Sequence, residues 1–161
     1  MGNKRDIAVR LINEIAAKHV AEVGVWKGQL SQMVLEKCPT VSDLHLIDPW
    51  VAELNDFDAA EMPLGRYKCT MSGKLLPQGG VDKLHARVVG LAAKHPGRAT
   101  VHRLTSAEAA TAFVDGSLDF VFIDAIHLYE NVKEDVALWL PKLRPGGILC
   151  GDDYTPAKFP G

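Results

Sequence analysis

The sequence is short of cysteine, of charge of one sign and of long apolar runs. Cys38, Cys69 and Cys150 are the only cysteines among 161 residues. An odd number without framework spacing excludes a disulfide scaffold and reads as reduced thiols in a cytoplasmic protein. Lys and Arg number 18 against 20 Asp and Glu, a net charge of −2. No basic field therefore points to nucleic acid. No apolar run approaches the roughly 18 residues of a membrane span. Residues 1–6 lead into an amphipathic segment, not into the apolar core of a signal peptide. Internal repeats and low-complexity tracts are absent too.

What is present is ordinary for a globular chain, with 47% hydrophobic and 24% charged residues. The length fits one domain over residues 1–161, able to bury roughly 70% of its unfolded surface. The organising stretch runs from Leu118 to His127. Phe120 to Ile123 is apolar on both faces, as in a central parallel strand covered on each side. Asp124 follows where the strand leaves the sheet, and at that edge open α/β sheets bind their ligands.

Helices and strands alternate around it. Ile7, Leu11 and Ile15 predict a first helix with one apolar face. Val20 to Val25 reads as a strand, Gln29 to Lys37 as a helix ended by Pro39, and Leu44 to Asp48 as a strand stopped by Pro49. Residues 50–80 are irregular, with turn signals at Met62-Pro63-Leu64-Gly65 and Pro77-Gln78-Gly79-Gly80. They form either a lid or binding loop, or a plain surface excursion. From Val81 the helical pattern returns, with Leu84, Val88 and Leu91 on one face, and Pro96-Gly97 closes it. Ala99 to Leu104 is a third strand, and Thr105 and Glu108 have capping-box spacing for the next helix. After the organising strand, Leu128, Val132, Val136 and Trp139 mark a helix ended by Pro141. Pro145-Gly146-Gly147 then turns the chain into a strand, Ile148 to Cys150, in which Cys150 is a small core residue. The pattern is α/β: a doubly wound, mostly parallel, Rossmann-like sheet of order 3-2-1-4-5, with the switch point between strands one and four.

Glu22-x-Gly24-x-x-x-Gly28 joins the first strand to its helix. Glycine lets backbone approach a ligand, and the amides opening the helix favour an anion. The spacing is not the Gly-x-Gly-x-x-Gly of dinucleotide binders, and an ordinary tight turn would look alike. Asp48, ending the second strand, can accept both hydroxyls of a ribose; an Asp opening a turn before proline is the plainer alternative. NAD and S-adenosylmethionine both contain a ribose. Asp124, Asp152 and Asp153 end adjacent strands four and five, so their oxygens can converge. Such hard donors suit Mg²⁺, and an uncompensated cluster would repel itself, which calls for a cation. The plainer alternative is that one or two of them cap helices or turns. His127 stands three residues after Asp124, where a neutral imidazole can take a proton from a hydroxyl. His19, His45, His85, His95 and His102 read as surface or satisfied core residues. Trp139 reads as core; Trp50 packs either on an adenine or in the core or lid.

Assembled, these residues resemble a class I S-adenosylmethionine-dependent methyltransferase, and more narrowly the small metal-dependent O-methyltransferases of the catechol and macrocin/mycinamicin sugar types. The resemblance covers roughly residues 18–154. It implies that Glu22, Gly24, Gly28, Asp48 and Ser106 bind the cofactor, Ser106 at the adenine, with Asp124 at the same edge. It implies Asp124, Asp152 and Asp153 as metal ligands and His127 as general base. The run from Phe122 to Tyr154 also resembles cephalosporin-hydroxylase-like proteins. The activity implied is Mg²⁺-dependent O-methylation of a small-molecule hydroxyl. The family sheet has seven strands, the last two a hairpin, and this chain stops at Gly161. Either the sequence is a fragment of a longer chain, or the sheet is C-terminally short and lacks that hairpin, with its fifth strand covered by a loop or by a homodimer partner. Two rivals stay open: a catalytically silent cofactor-binding or dimerisation module, and a nicotinamide-dependent oxidoreductase.

Overall fold

A five-stranded parallel sheet centres the computed structural model, which describes residues 4–54, 67–68, 70–71 and 74–152. Its strands are β1 (His19–Val23), β2 (Asp43–Ile47), β3 (Ala99–His102), β4 (Leu118–Ile123) and β5 (Leu143–Gly151). The order is β3-β2-β1-β4-β5, all parallel, as the alternation predicts. The helices are α1 (Lys4–Glu14), α2 (Gln29–Lys37), α3 (Gln78–Ala93), α4 (Ser106–Ala110) and α5 (Tyr129–Trp139).

Strand alternation divides the core in two. Val20, Leu44, Leu46, Phe120 and Phe122 pack with Ile12, Leu30, Val34 and Val88 of α1, α2 and α3. Val23, Ile47, Val121 and Ile123 pack on the other face with Ala109 and Trp139 of α4 and α5. Covered on both faces, β4 buries all six of its residues. Its one charged residue, Asp119, accepts from Lys18 N at 2.6 Å and His19 N at 2.8 Å and pairs with Arg144. That carboxylate ties together the starts of three neighbouring strands.

The structure corrects several boundaries. The buried residues of α1 are Ala8, Val9 and Ile12, while Ile7 is 45% exposed. The helix begins a turn earlier than its apolar spacing indicates and is rotated so that Ala8, Val9 and Ile12 face the core. β1 stops at Val23 because Gly24 turns to φ +90°, and β3 stops at His102. Pro77-Gln78-Gly79-Gly80 opens α3, with Pro77 as its extended N-cap. Gln78 draws the helix inward: its Nε2 donates to Trp50 O and its Oε1 accepts from Ala52 N, both at 2.9 Å. Pro145-Gly146-Gly147 lies inside β5 as an irregularity in the pairing with β4. A side chain at Gly147 would stand 3.0 Å from Asp119 O, so glycine lets the bulged strand close on its neighbour. On α5, Val132 is 40% exposed and Asp135 takes the inward position.

Within residues 50–80, Glu53–Leu54 pairs with Tyr67–Lys68 and Thr70–Met71 with Lys74–Leu75, both antiparallel. The turn expected at Met62 to Gly65, and Cys69, lie outside the described residues. Among those described, β5 pairs with β4 alone, and no helix is long and apolar enough to cross a membrane.

Candidate functional site

The carboxyl ends of β1, β2 and β4 open on a cavity of about 810 Å³, within the range of small-molecule sites. Glu22, Gly24, Asp48, Ser106, Asp124 and His127 all line it. These residues come from the strand-to-helix junctions of four successive strands, brought together by the parallel order of the sheet. Gly28 and Asp152 are not part of that lining.

Gly24 is required by the chain itself. Its φ is +90°, and a Cβ there would lie 2.1 Å from Asp124 O. Glycine thus lets the ends of β1 and β4 touch, whereas the sequence suggested an approach to a ligand. Gly28 is the left-handed N-cap of α2, at φ 70°. A Cβ there would meet Val88 Cγ2 at 3.1 Å. Beyond it, Gln29 and Leu30 carry the amino end of α2 into the cavity wall, a setting that favours a carboxylate or other anion. Glu22 is buried beneath this turn and accepts a hydrogen bond from Ser31 Oγ. Burial pushes its carboxyl up to about 8 against that bond, so it is protonated at neutral pH.

Asp48 closes β2. Its Oδ2 accepts from Trp26 N at 2.9 Å and its Oδ1 from Trp50 N at 2.7 Å. Burial raises its carboxyl above the ordinary range, opposed by these same bonds. Both tryptophans hold left-handed backbone, φ 53° and 44°, at a cost of about 1–2 kcal/mol each. Trp50 Nε1 donates to Trp26 O at 3.1 Å, and its ring is buried 4.8 Å from that of His85. Of the two placements open to Trp50, the core is the one found.

Ser106 stands in the cavity wall below the Thr105–Glu108 capping box, which forms as its spacing predicts. Its Oγ donates to Asp135 Oδ1 and accepts from Trp139 Nε1 at 2.8 Å. Burial raises the Asp135 carboxyl, opposed by Ser106. Sequence reasoning missed Asp135. The signal was an acid four residues before Trp139, on the inward face of one helix.

The acidic end of the site joins Asp124, Asp152 and His127, whose donor atoms all lie within 4.8 Å of one another. His127 Nε2 is 3.5 Å from Asp124 Oδ1, and its side chain is 40% exposed. Asp153, the third expected metal ligand, lies outside the described residues. Two carboxylates and an imidazole at this spacing fit a small divalent cation, with room for water or substrate on its remaining positions. The chain also brings its own cation here. Lys4 Nζ, from the first turn of α1, is 2.8 Å from Asp124 Oδ2 and pairs with Asp152 Oδ2. Burial lowers the Lys4 pKa, but the two carboxylates outweigh it and the net shift is upward. The self-repulsion expected of the acids is thus answered within the chain, by a residue with no local sequence signal.

Of the histidines expected to be surface or satisfied core residues, His45 and His102 are partnered with each other. His45 Nε2 is 3.1 Å from Asp43 Oδ2, and its Nδ1 is 3.1 Å from His102 Nε2. Burial pushes the Cys150 thiol up to about 12, consistent with a packing role.

Known proteins resemble this chain in sequence and in fold. The family model of a methyltransferase domain matches residues 21–154. A candidate caffeoyl-CoA O-methyltransferase from Staphylococcus aureus superposes with a TM-score of 0.61 at 16% identity, over 94% of this chain and 58% of that one. Spermidine synthase from Thermotoga maritima superposes at 0.60 and 14% identity, over 94% and 44%. Both are likenesses of fold. The uncharacterised protein y4gI of Sinorhizobium fredii is 37% identical over 51 residues, 32% of this chain and 6% of that protein. The chain spans 58% or less of each of these proteins.

Proposed function

The chain belongs to the methyltransferase-domain family, and from that premise we propose that it binds S-adenosylmethionine in the sheet-edge cavity and methylates the hydroxyl of a small molecule with the help of Mg²⁺. The observation that carries this reading is the convergence of Glu22, Asp48, Ser106 and Asp124 on one cavity at the strand ends. In it, Asp48 accepts the ribose hydroxyls on lone pairs left beside the Trp26 and Trp50 amides, since a carboxylate offers about four such positions. The amino end of α2 receives the cofactor's carboxylate. Ser106 and Asp135 form the wall at the adenine.

Asp124, Asp152 and Asp153 hold Mg²⁺, with His127 alongside. When bound, the cofactor supplies an electrophilic methyl group and the metal supplies a Lewis acid that lowers the pKa of a hydroxyl. His127, exposed at the rim, takes the proton from that hydroxyl. The remaining work of the chain is to position the acceptor and keep water out.

Calorimetry with S-adenosylhomocysteine and with NAD, followed by methyl transfer to a panel of small hydroxyl acceptors with and without Mg²⁺, tests the reading. Binding of S-adenosylhomocysteine alone and Mg²⁺-stimulated transfer are expected. Preference for NAD would replace it with an oxidoreductase. Cofactor binding with no transfer to any acceptor would leave a silent binding module. Within the proposal, His127→Ala should lower turnover about 10²–10⁴-fold with cofactor affinity retained; an equal loss of both would remove His127 as the base.

A further inference from the structure

Lys4 Nζ holds Asp124 Oδ2 and Asp152 Oδ2, one oxygen from each of the two described acids at the proposed metal site. Lys4 is not placed there by a loose tail. It opens α1, whose Ala8, Val9 and Ile12 are buried in the core beside Leu30, Val34 and Leu35 of α2. Asn13, near the other end of α1, donates to Lys37 O at 3.2 Å. The helix is thereby fixed at both ends, with its amino end over the carboxyl ends of β4 and β5.

We propose that Lys4 is a tethered counter-cation of the Asp124–Asp152 pair, and that a divalent ion enters the site only by displacing it. The inference rests on reading these acids as the metal-holding pair. An ammonium 2.8 Å from an oxygen uses the same lone pairs as a metal about 2.1 Å from it. Even on the second carboxylate oxygens, one of which faces His127, a divalent ion would stand only about 4 Å from the ammonium, where like charges repel strongly away from bulk water. Without metal, Lys4 neutralises the pair and anchors the first turn of α1. With metal, that turn is released, so metal occupancy and the order of α1 are linked. The acid pair is then balanced in both states, and the cavity mouth, which Lys4 and Arg5 also line, differs between them.

The test uses the full chain and Mn²⁺ as the probe. Calorimetric titration of the wild type, Lys4→Met and Lys4→Arg reads affinity directly. Hydrogen exchange at residues 8–10, whose amides donate to the carbonyls of the first turn, reads that turn of α1 with and without Mn²⁺. Lys4→Met is expected to bind Mn²⁺ about tenfold tighter or better than wild type, and Lys4→Arg, which keeps the charge, to stay near it. Mn²⁺ should speed exchange at residues 8–10 in the wild type and leave Lys4→Met unchanged. Equal or weaker binding by Lys4→Met would overturn the displacement while leaving the metal site intact. Absence of Mn²⁺ binding in every variant would overturn both the displacement and the metal half of the proposed function. Circular dichroism of each variant confirms that α1 still packs, since Lys4 lies outside the residues it buries.

Discussion

The backbone N–H of Trp26 donates to Asp48 Oδ2 at 2.9 Å, joining the turn after β1 to the end of β2. The acid suited to a ribose therefore also braces two strained loops, since Trp50 N sits on its other oxygen. Under the proposed function, structure and ligand binding share one side chain.

Asp48→Ala should accordingly cost stability as well as cofactor. Two amides lose a charged acceptor in a mostly enclosed place, a loss of about 2–4 kcal/mol. Asp48→Asn keeps one acceptor oxygen and should cost roughly half that. Urea denaturation measures both. A loss below about 0.5 kcal/mol for Asp48→Ala would mean the loops are held by other contacts.

Gly24 and Gly28 should separate sharply under substitution. Gly24→Ala sets a methyl 2.1 Å from a backbone oxygen at φ +90° and should cost more than about 3 kcal/mol or prevent folding. Gly28→Ala meets a movable Val88 methyl at 3.1 Å and should cost about 1–2 kcal/mol. Thermal melts of the pair decide it; equal losses would refute the contact between the ends of β1 and β4.

Glu22 should make the protein less stable as pH rises. Its folded pKa is about 8 through burial, against an ordinary 4.5. Between those values the unfolded chain has released a proton that the folded chain keeps, so unfolding is favoured by rising pH. Glu22→Gln should flatten the stability profile across this window, and its advantage should fade as pH falls toward 4.5. An unchanged slope in denaturation midpoints would rule out a protonated Glu22.

His45 and His102 act in the opposite direction. Burial lowers both below the ordinary 6.5, opposed in His45 by Asp43 and aided in His102 by His45. The unfolded chain takes up protons first, so their contribution is complete above pH 6.5 and is lost as pH falls through the folded values. His102→Gln should lose less stability than wild type between pH 7 and pH 5. Parallel midpoint shifts in the two proteins would discount the pair.

What could be read along the chain was what repeats locally. The both-faced apolar run of Phe120 to Ile123, the acids at strand ends and the alternation with helices determined the sheet and its order, because periodicity records which faces are covered. Cues of only a few residues were less secure. Pro145-Gly146-Gly147 has the composition of a turn, yet it lies inside β5 as a bulge between the pairs Leu118–Leu143 and Phe120–Ile148, and Pro77 to Gly80 starts a helix in which Gln78 reaches Trp50. Val132 is turned outward and Asp135 inward because Ser106, on another helix, offers Asp135 a partner.

The sequence alone determined that acids would gather at the carboxyl edge of a parallel sheet, since strand direction and local patterning suffice for that. Only the tertiary structure decided how those acids are balanced. Lys4 meets Asp124 across 120 residues of chain, through the docking of α1 on α2, and no periodicity encodes an encounter between side chains so far apart. The same reason hid the demand on Gly24: the carbonyl it must clear belongs to a strand that exists beside it only after folding.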